Sequence, residues 1–530
     1  LLNHRSEPSL GNVERTVRRF LILAAAIAVA GCAHASPPAT TQTASITDPF
    51  PAIPEVRAVD GVATVALTAR LDPANDLPAF AYQGKLGVVP TIRVHPGDTI
   101  AIDLRNDMPP ERNRPNAVNI HFHGMQIPPT AGQDDVLTQL ARDGDVLHYR
   151  VKVPRDHEPG LYWYHPHSHG ESFRDVSAGM SGAIVVEGIE EHLPALAAMR
   201  ERILVLRDVP IGREVVDDDA PAAMSGMGGQ MPPATARAAT NADNPCRNER
   251  GMWTTMNRQP LGSIGIAAGE KQFFRVVNAS AGRFYDLSVD GSRLQVVAFD
   301  GVPLDAWPGN PTSRTVSHLL IPPAGRAEFV VTGTGKPSVL RSACFDSGKV
   351  GDPDPPAIIA NLVPTAQATN ASDAVPGAAM AATLSSKSDL VIGKPLPQNF
   401  FAKPLPAPAA HRTIRFTEDS NGYYFDHKPY DMMGGPSIAA RSGTVERWTL
   451  VNTTDEVHDF HIHQVHFVVD SVQGRAPRER EWLDTVNLQP HTSTDVTIDF
   501  RNPIVRGTFL YHCHILDHED QGMMAKIQVI

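Results

Sequence analysis

Between His512 and Met524 the chain reads HCHILDHEDQGMM, which puts three histidines, one cysteine and two methionines into thirteen residues. A thiolate, an imidazole and a thioether are the soft donors that blue-copper electron-transfer sites combine. Cys513, His518 and Met523 supply one of each. Such a site uses two imidazoles, so a second must come from elsewhere in the chain. Cys513 stands between His512 and His514. On a strand, side chains alternate between faces, which sends the cysteine one way and both histidines the other. One short segment then feeds two metal sites joined through its own covalent bonds, a layout suited to moving an electron from one to the other.

Other histidines cluster as tightly. His121-Phe122-His123-Gly124 comes first, then His165-Pro166-His167 after Trp163-Tyr164, then His458-Asp459-Phe460-His461-Ile462-His463. With His512 and His514 there are four His-x-His pairs and eight imidazoles. On a strand each pair projects from one face with Cα atoms about 6.6–7 Å apart. A single pair reads as polar strand residues or as part of a zinc site. Four pairs beside a Cys/His/Met set point to a multinuclear centre.

An internal repeat describes what must position these residues. GDTIAIDLRN starts at Gly97, GEKQFFRVVN at Gly269 and GTVERWTLVN at Gly443; the starts are 172 and 174 residues apart and each copy ends on asparagine. The same two steps are apolar in every copy: Ile102 and Leu104, Phe274 and Val276, Trp448 and Leu450. Period-two alternation after a turn glycine predicts a half-buried strand. Three such units predict an all-β chain of three consecutive Greek-key sandwich domains. Domain one spans about residues 51–190, domain two 202–364, an Ala/Pro-rich connector 365–410, and domain three 411–530. Domain two carries the repeat without a histidine pair, so it reads as a spacer and wall, and the ligands of domains one and three must meet at an interface.

Hydrophobic residues make up 42% and charged residues 20% of the 530, as in a globular protein, and a net charge of −11 with no long basic run argues against a nucleic-acid partner. Arg15, Arg18 and Arg19 precede a short apolar run over residues 20–30, the pattern of an export signal. Val29-Ala30-Gly31-Cys32 resembles a bacterial lipobox with Cys32 as the lipidated residue, while Ala33-His34-Ala35 offers a rival ordinary cleavage. Arg18-Arg19 leaves the twin-arginine route open beside the general one, and residues 36–50 read as a flexible tether. The expected location is periplasmic or outer-membrane-anchored, reached through lipid at Cys32. Of four cysteines, Cys246 and Cys344 remain for a disulfide, or for two buried thiols.

HxHG, HPHxH, HxxHxH and HCHxxxHxxxxM, in that order, resemble the copper motifs of three-domain multicopper oxidases. The resemblance covers about residues 50–530 and extends to Gly182–Glu187 and to DGVPL at Asp300–Leu304. It implies cupredoxin-like domains and four coppers. By motif position His458, Cys513, His518 and Met523 resemble the type 1 ligands. His121 and His461 resemble the type 2 pair, and His123, His165, His167, His463, His512 and His514 the ligands of the type 3 pair. No ligand position is substituted. His169, His466 and Met524 fall outside the ligand positions. The implied activity is one-electron oxidation of phenols, aromatic amines or Cu(I), coupled to four-electron reduction of O2 to water by a monomer. Its alternative is a non-catalytic copper-binding or scaffold lipoprotein. Reduction of O2 consumes protons, so acids are expected at the cluster. Glu519 matches an acidic position of some bacterial members, and Asp134 the acid after HxHG, although Asp134-Asp135 stands where the family has Asp-Gly. Met224, Met227 and Met231 resemble, sparsely, a Cu(I)-handling insert. Electrons are expected to arrive through a solvent-facing imidazole edge of His458 or His518, and with Met523 as axial ligand the copper is expected to have a lower potential than with an apolar residue there.

Overall fold

A strand that alternates apolar and polar residues must bury one face, and the asparagine that ends it must partner its amide. The computed structural model describes residues 49–111, 114–210, 246, 252–365, 390–397 and 399–530. The three repeats form the strands Thr99–Asn106, Lys271–Asn278 and Val445–Asn452. Their apolar pairs are fully buried. The closing asparagine does one task three times. Asn106 donates from Nδ2 to the carbonyls of Asn116 (2.8 Å) and Ala141 (2.9 Å) and accepts from the Met108 amide (2.9 Å). Asn278 joins Arg283, Ile321 and Ser280 in the same way, and Asn452 joins Glu456, Leu488 and Thr454. Each amide ties two loops to the end of its strand, with donor and acceptor both satisfied.

Each repeat strand has the same neighbours. A parallel partner precedes it in sequence: Val62–Leu71, Arg200–Pro210 or Ala410–Asp419. An antiparallel one follows: Val146–Lys152, Arg326–Thr332 or Ser493–Asp499. A second sheet packs over each, so the chain is three two-sheet sandwiches, with sheets of five and five, eight and five, and six and five strands. Each has its own apolar core.

The seams combine buried ion pairs with apolar contacts. Between domains one and two, Arg275 is fully buried against Glu201 (2.6 Å), Glu328 (2.9 Å) and Glu190. Arg93 bridges Glu187 (2.7 Å) and Glu201 (2.6 Å) beside it. His192 meets Asp305 of domain two (2.9 Å) and the Lys394 carbonyl of the connector (2.9 Å). Further along, Phe401 packs on Trp482 of domain three. The first strand of domain two is Arg200–Pro210 and that of domain three Ala410–Asp419. Cys246 and Cys344 are joined by a disulfide. Cys32 with the expected export signal, the segment from Met224 to Met231 and residues 366–389 of the connector lie outside the described residues. No helix among the described residues is long and apolar enough to cross a membrane.

Candidate metal centre

The strand His458–Ile462 pairs antiparallel with Gly507–Cys513, placing Phe460 opposite Cys513 and His461 opposite His512. Alternation then separates the two chemistries: Cys513 points into the core of domain three, among Phe460, Ile515 and Met523, while His512 faces domain one. Cys513 Sγ lies 3.7 Å from His458 Nδ1 and 3.7 Å from His518 Nδ1, and the two nitrogens are 3.1 Å apart. His518 is carried by the short helix Leu516–Asp520. Met523 is buried, its amide donating to the His518 carbonyl (2.9 Å) and its carbonyl accepting from the Cys513 amide (3.0 Å). The Asp459 amide donates to Cys513 Sγ (3.4 Å).

This donor set fits a soft cation. Burial lowers the His458 imidazole to about 3, so it is neutral, as a ligand must be. Burial also pushes the Cys513 thiol well above its ordinary range. A thiolate there requires a positive charge at the point where the three donors converge, and copper bound by thiolate and imidazole supplies it. The outer edges of the two imidazoles are covered. Thr454 Oγ1 lies 2.9 Å from His458 Nε2, Glu456 Oε1 lies 3.5 Å from His518 Nε2, and Tyr423 stacks on His518 at 3.9 Å. The expected solvent-facing edge is therefore corrected: His458 and His518 are 0% and 1% exposed, because the hairpin bearing Tyr423 closes over them.

The eight remaining histidines meet between domains one and three. His121 and His123 lie on the strand His121–His123, and His165 ends Gly160–His165, with His121 opposite His165 in register. His121 stacks on His463 (3.8 Å) and His123 on His461 (3.9 Å), so one pair from each domain interleaves. His167, His463 and His512 bring their Nε2 atoms within 3.2 Å of one another, pair by pair. His514 lies against His123, His165 and His512 at ring-centroid distances of 5.1, 5.5 and 5.3 Å. Burial holds His121, His123, His165, His461, His463 and His514 well below the ordinary imidazole range, hence neutral. Several direct one nitrogen outward to a partner and leave the other buried and unbonded. His121 Nδ1 faces Asp134, His165 Nδ1 the Pro166 carbonyl and His461 Nδ1 the Asp484 carbonyl, while their Nε2 atoms are unpartnered. His123 is reversed, with Nε2 on Asp484 and Nδ1 unpartnered. Buried nitrogens without partners are costly, and metal ligation of the inward atom with an outer partner for the other is the usual resolution.

Both predicted acids are at this cluster. Asp134 accepts from the Phe122 amide (2.9 Å), contacts His121 Nδ1 (3.0 Å) and accepts from Gln464. Burial raises it to about 7. Asp135 instead caps the turn at Leu137 and Thr138, so the buried acid of the pair is Asp134. Glu519 is fully buried, its Oε2 3.1 Å from His512 Nδ1 and its Oε1 3.6 Å from His167 Nδ1. Burial opposes its charge, but His167 and His512 hold the carboxyl below its ordinary range. His466 packs on the Asp300 carbonyl (3.1 Å), and His169 against Tyr430 (4.9 Å).

Sequence reasoning missed four residues. Asp484 holds His123 and His461; Arg326 of domain two grips Asp484; Asp520 accepts from the Gly170 and Phe173 amides and docks domain three onto domain one; Gln464 reaches Asp134. Asp484 and Arg326 lie outside every histidine motif and come near the cluster only on folding. Domain two is thus more than a wall.

Comparison with known proteins agrees with this layout. Models of the family described as Multicopper oxidase match residues 70–191, 218–355 and 404–530. The multicopper oxidase mco of Staphylococcus aureus is 23% identical over 85% of this chain and 83% of its own. The laccase of Bacillus subtilis is 24% identical over 86% and 91%. The fold is shared with the multicopper oxidase from Campylobacter jejuni, described as a metallo-oxidase, at a TM-score of 0.68 and 23% identity over 91% of this chain and 96% of that one. Three successive family matches, one per sandwich, show that this chain belongs to the multicopper oxidases and is a copper-dependent oxidoreductase.

Proposed function

We propose that the chain takes electrons singly from substituted phenols, aromatic amines or Cu(I) and delivers them to O2, as an exported protein anchored through lipid at Cys32. The observation that carries the reading is the His512-Cys513-His514 segment, whose cysteine sits in the three-donor site while its flanking histidines sit in the cluster. Bound copper would supply one-electron redox chemistry beside Cys513 and four-electron reduction of O2 at the cluster. His458, Cys513, His518 and Met523 would hold the first ion. His121 and His461 would hold a second, and His123, His165, His167, His463, His512 and His514 a coupled pair.

The chain's own residues supply orientation and protons. Asp134 keeps His121 Nε2 turned inward, and Gln464 holds Asp134 in place. Glu519, an ionised carboxylate at the back of His512 and His167, is placed to take up a proton at Oε2 and pass it toward the cluster. Tyr423 covers His518, so a donor docks on that side and its electron passes through the stacked ring. A thioether donor from Met523 would give the bound ion a lower potential than an apolar residue there, which favours easily oxidised donors. The names of the relatives, a laccase and a metallo-oxidase, support both donor classes.

The test is oxygen uptake by the copper-loaded chain, with a phenol and with Cu(I) side by side. A blue protein that consumes oxygen with either donor supports the reading; a colourless, fully loaded protein, or zinc on metal analysis, overturns it. Deleting residues 222–232 decides whether the methionine loop serves Cu(I): a raised KM for Cu(I) alone assigns it that role. Mass spectrometry of the mature N-terminus tests the anchor, because a free terminus at Ser36 means ordinary secretion.

A further inference from the structure

Domain two contributes no histidine to the cluster, yet Arg326 ends beside it. We propose that Arg326 is a positioning residue for the histidine cluster: it clamps Asp484, and through Asp484 sets the orientation of His123 and His461, so that the middle domain completes the copper-binding geometry. This rests on the reading of the cluster as a copper site.

The clamp is bidentate and wholly buried. Arg326 Nη1 donates to Asp484 Oδ1 (2.7 Å) and Nη2 to Oδ2 (2.5 Å), with both side chains at 0% exposure. A planar fork facing a carboxylate fixes the plane of that carboxylate as well as its position. Asp300, also of domain two, ties the pair to the backbone: Oδ1 accepts from the Arg326 amide (2.9 Å), and Oδ2 from the Asp484 amide across the domain boundary (3.2 Å). The Asp300 carbonyl accepts from Arg326 Nη2 (2.9 Å). Asp484 is thereby held by side chain and main chain together.

Asp484 in turn faces both outer domains. Its Oδ1 lies 3.2 Å from His123 Nε2 of domain one, and its carbonyl oxygen 2.8 Å from His461 Nδ1 of domain three. Each contact occupies one ring nitrogen and leaves the other, His123 Nδ1 or His461 Nε2, turned into the cluster without a partner. A carboxylate on the outer nitrogen of an imidazole fixes its tautomer and ring angle. The reversed orientation of His123 follows from where Asp484 is held. Gly124 belongs to the same assembly. A β-carbon there would overlap the Arg326 guanidinium and come within 2.7 Å of Asp484 Oδ2. The glycine of the HxHG segment is the opening through which domain two reaches domain one.

An ordinary interdomain ion pair would stabilise docking without affecting metal geometry, and the experiment separates the two. Full-length wild-type chain, Arg326→Gln, Arg326→Lys, Asp484→Asn and a control, Arg275→Gln in the other buried ionic seam, are loaded with copper. Copper per chain, the blue absorption and the type 2 electron paramagnetic resonance signal are then measured, with thermal unfolding of each metal-free chain. The expected result is that Arg326→Gln and Asp484→Asn keep the blue band, bind copper at the cluster roughly 10–100-fold more weakly, and lose or shift the type 2 signal. Arg326→Lys, which cannot form the fork, recovers part of the copper but not the wild-type signal. Arg275→Gln lowers the unfolding temperature and leaves the signal unchanged. Should Arg326→Gln fail to fold, the isosteric Asp484→Asn decides. Wild-type copper content and an unaltered signal in Asp484→Asn would overturn the proposal, as would the same signal loss in Arg275→Gln. A wild-type chain that turns blue but takes up no further copper overturns the reading of the cluster itself, and this inference with it.

Discussion

The cysteine site and the histidine cluster are built from overlapping segments but held together differently. Cys513, His458, His518 and Met523 all belong to domain three and are set by one strand pair and one short helix within a single apolar core. The cluster draws four histidines from domain one and four from domain three, and its orienting carboxylate is gripped by domain two. The first site depends on folding of one sandwich, the second on docking of three. Local disruption should therefore abolish the first without dispersing the second, whereas loosening a seam should reach the cluster and spare the blue site.

The largest effect expected on that contrast comes from Cys513→Ser. Removing the thiolate deletes both the blue absorption and the path from donor to cluster, so turnover falls to background while copper remains on the histidines. Metal analysis with an absorption spectrum checks it, and loss of all copper would mean that the two sites are not separable. Glu519→Gln comes next. It keeps shape and removes proton transfer, and turnover should fall by about 100-fold or more, the lower range for general acid–base groups, with the blue band unchanged. An unaltered rate would leave Glu519 as a buried partner of His512 with no part in proton supply.

Two smaller effects probe the scaffold. Asn452→Ala takes the side-chain amide from the Leu488 carbonyl and the Thr454 amide, while the Glu456 carbonyl keeps the Thr454 hydroxyl. With about 1–3 kcal/mol for each buried group left unsatisfied, the unfolding midpoint of domain three should drop and the blue site should loosen before the cluster does. Denaturant titration followed by absorption checks this order. The smallest is the His192–Asp305 contact in the seam of domain two. Burial lowers the His192 imidazole, but the hydrogen bond and charge of Asp305 together with the Lys394 carbonyl outweigh it and raise the value above 6.5. A group raised in the folded state stabilises fully below its unfolded value, about 6.5, and loses that contribution as pH climbs through the folded value above it. His192→Gln should flatten the pH dependence of unfolding in that window, with copper content unchanged. An unchanged profile would show that the contact does not couple to stability.

Much of this was legible along the chain because it depends on short-range spacing. The three Gly-to-Asn repeats announce strands through alternation, and Ile102, Leu104, Phe274, Val276, Trp448 and Leu450 are buried where alternation puts them. A cysteine flanked by histidines separates into two sites by strand geometry alone, and Asp134 and Glu519 are near in sequence to the ligands they touch. Partners brought together by docking were not legible. Asp484 and Arg326 are 158 residues apart and carry no motif, and Gly124 gives no sign of the guanidinium that needs its missing β-carbon. Solvent access behaved likewise. Nothing near His518 in the sequence says that Tyr423, from another hairpin, will lie flat over it. Ligand chemistry follows from residue type and a two-residue period, which the chain carries locally. The orientation of each imidazole and what covers it depend on how three separately cored sandwiches meet, and that is decided by contacts among residues far apart in sequence.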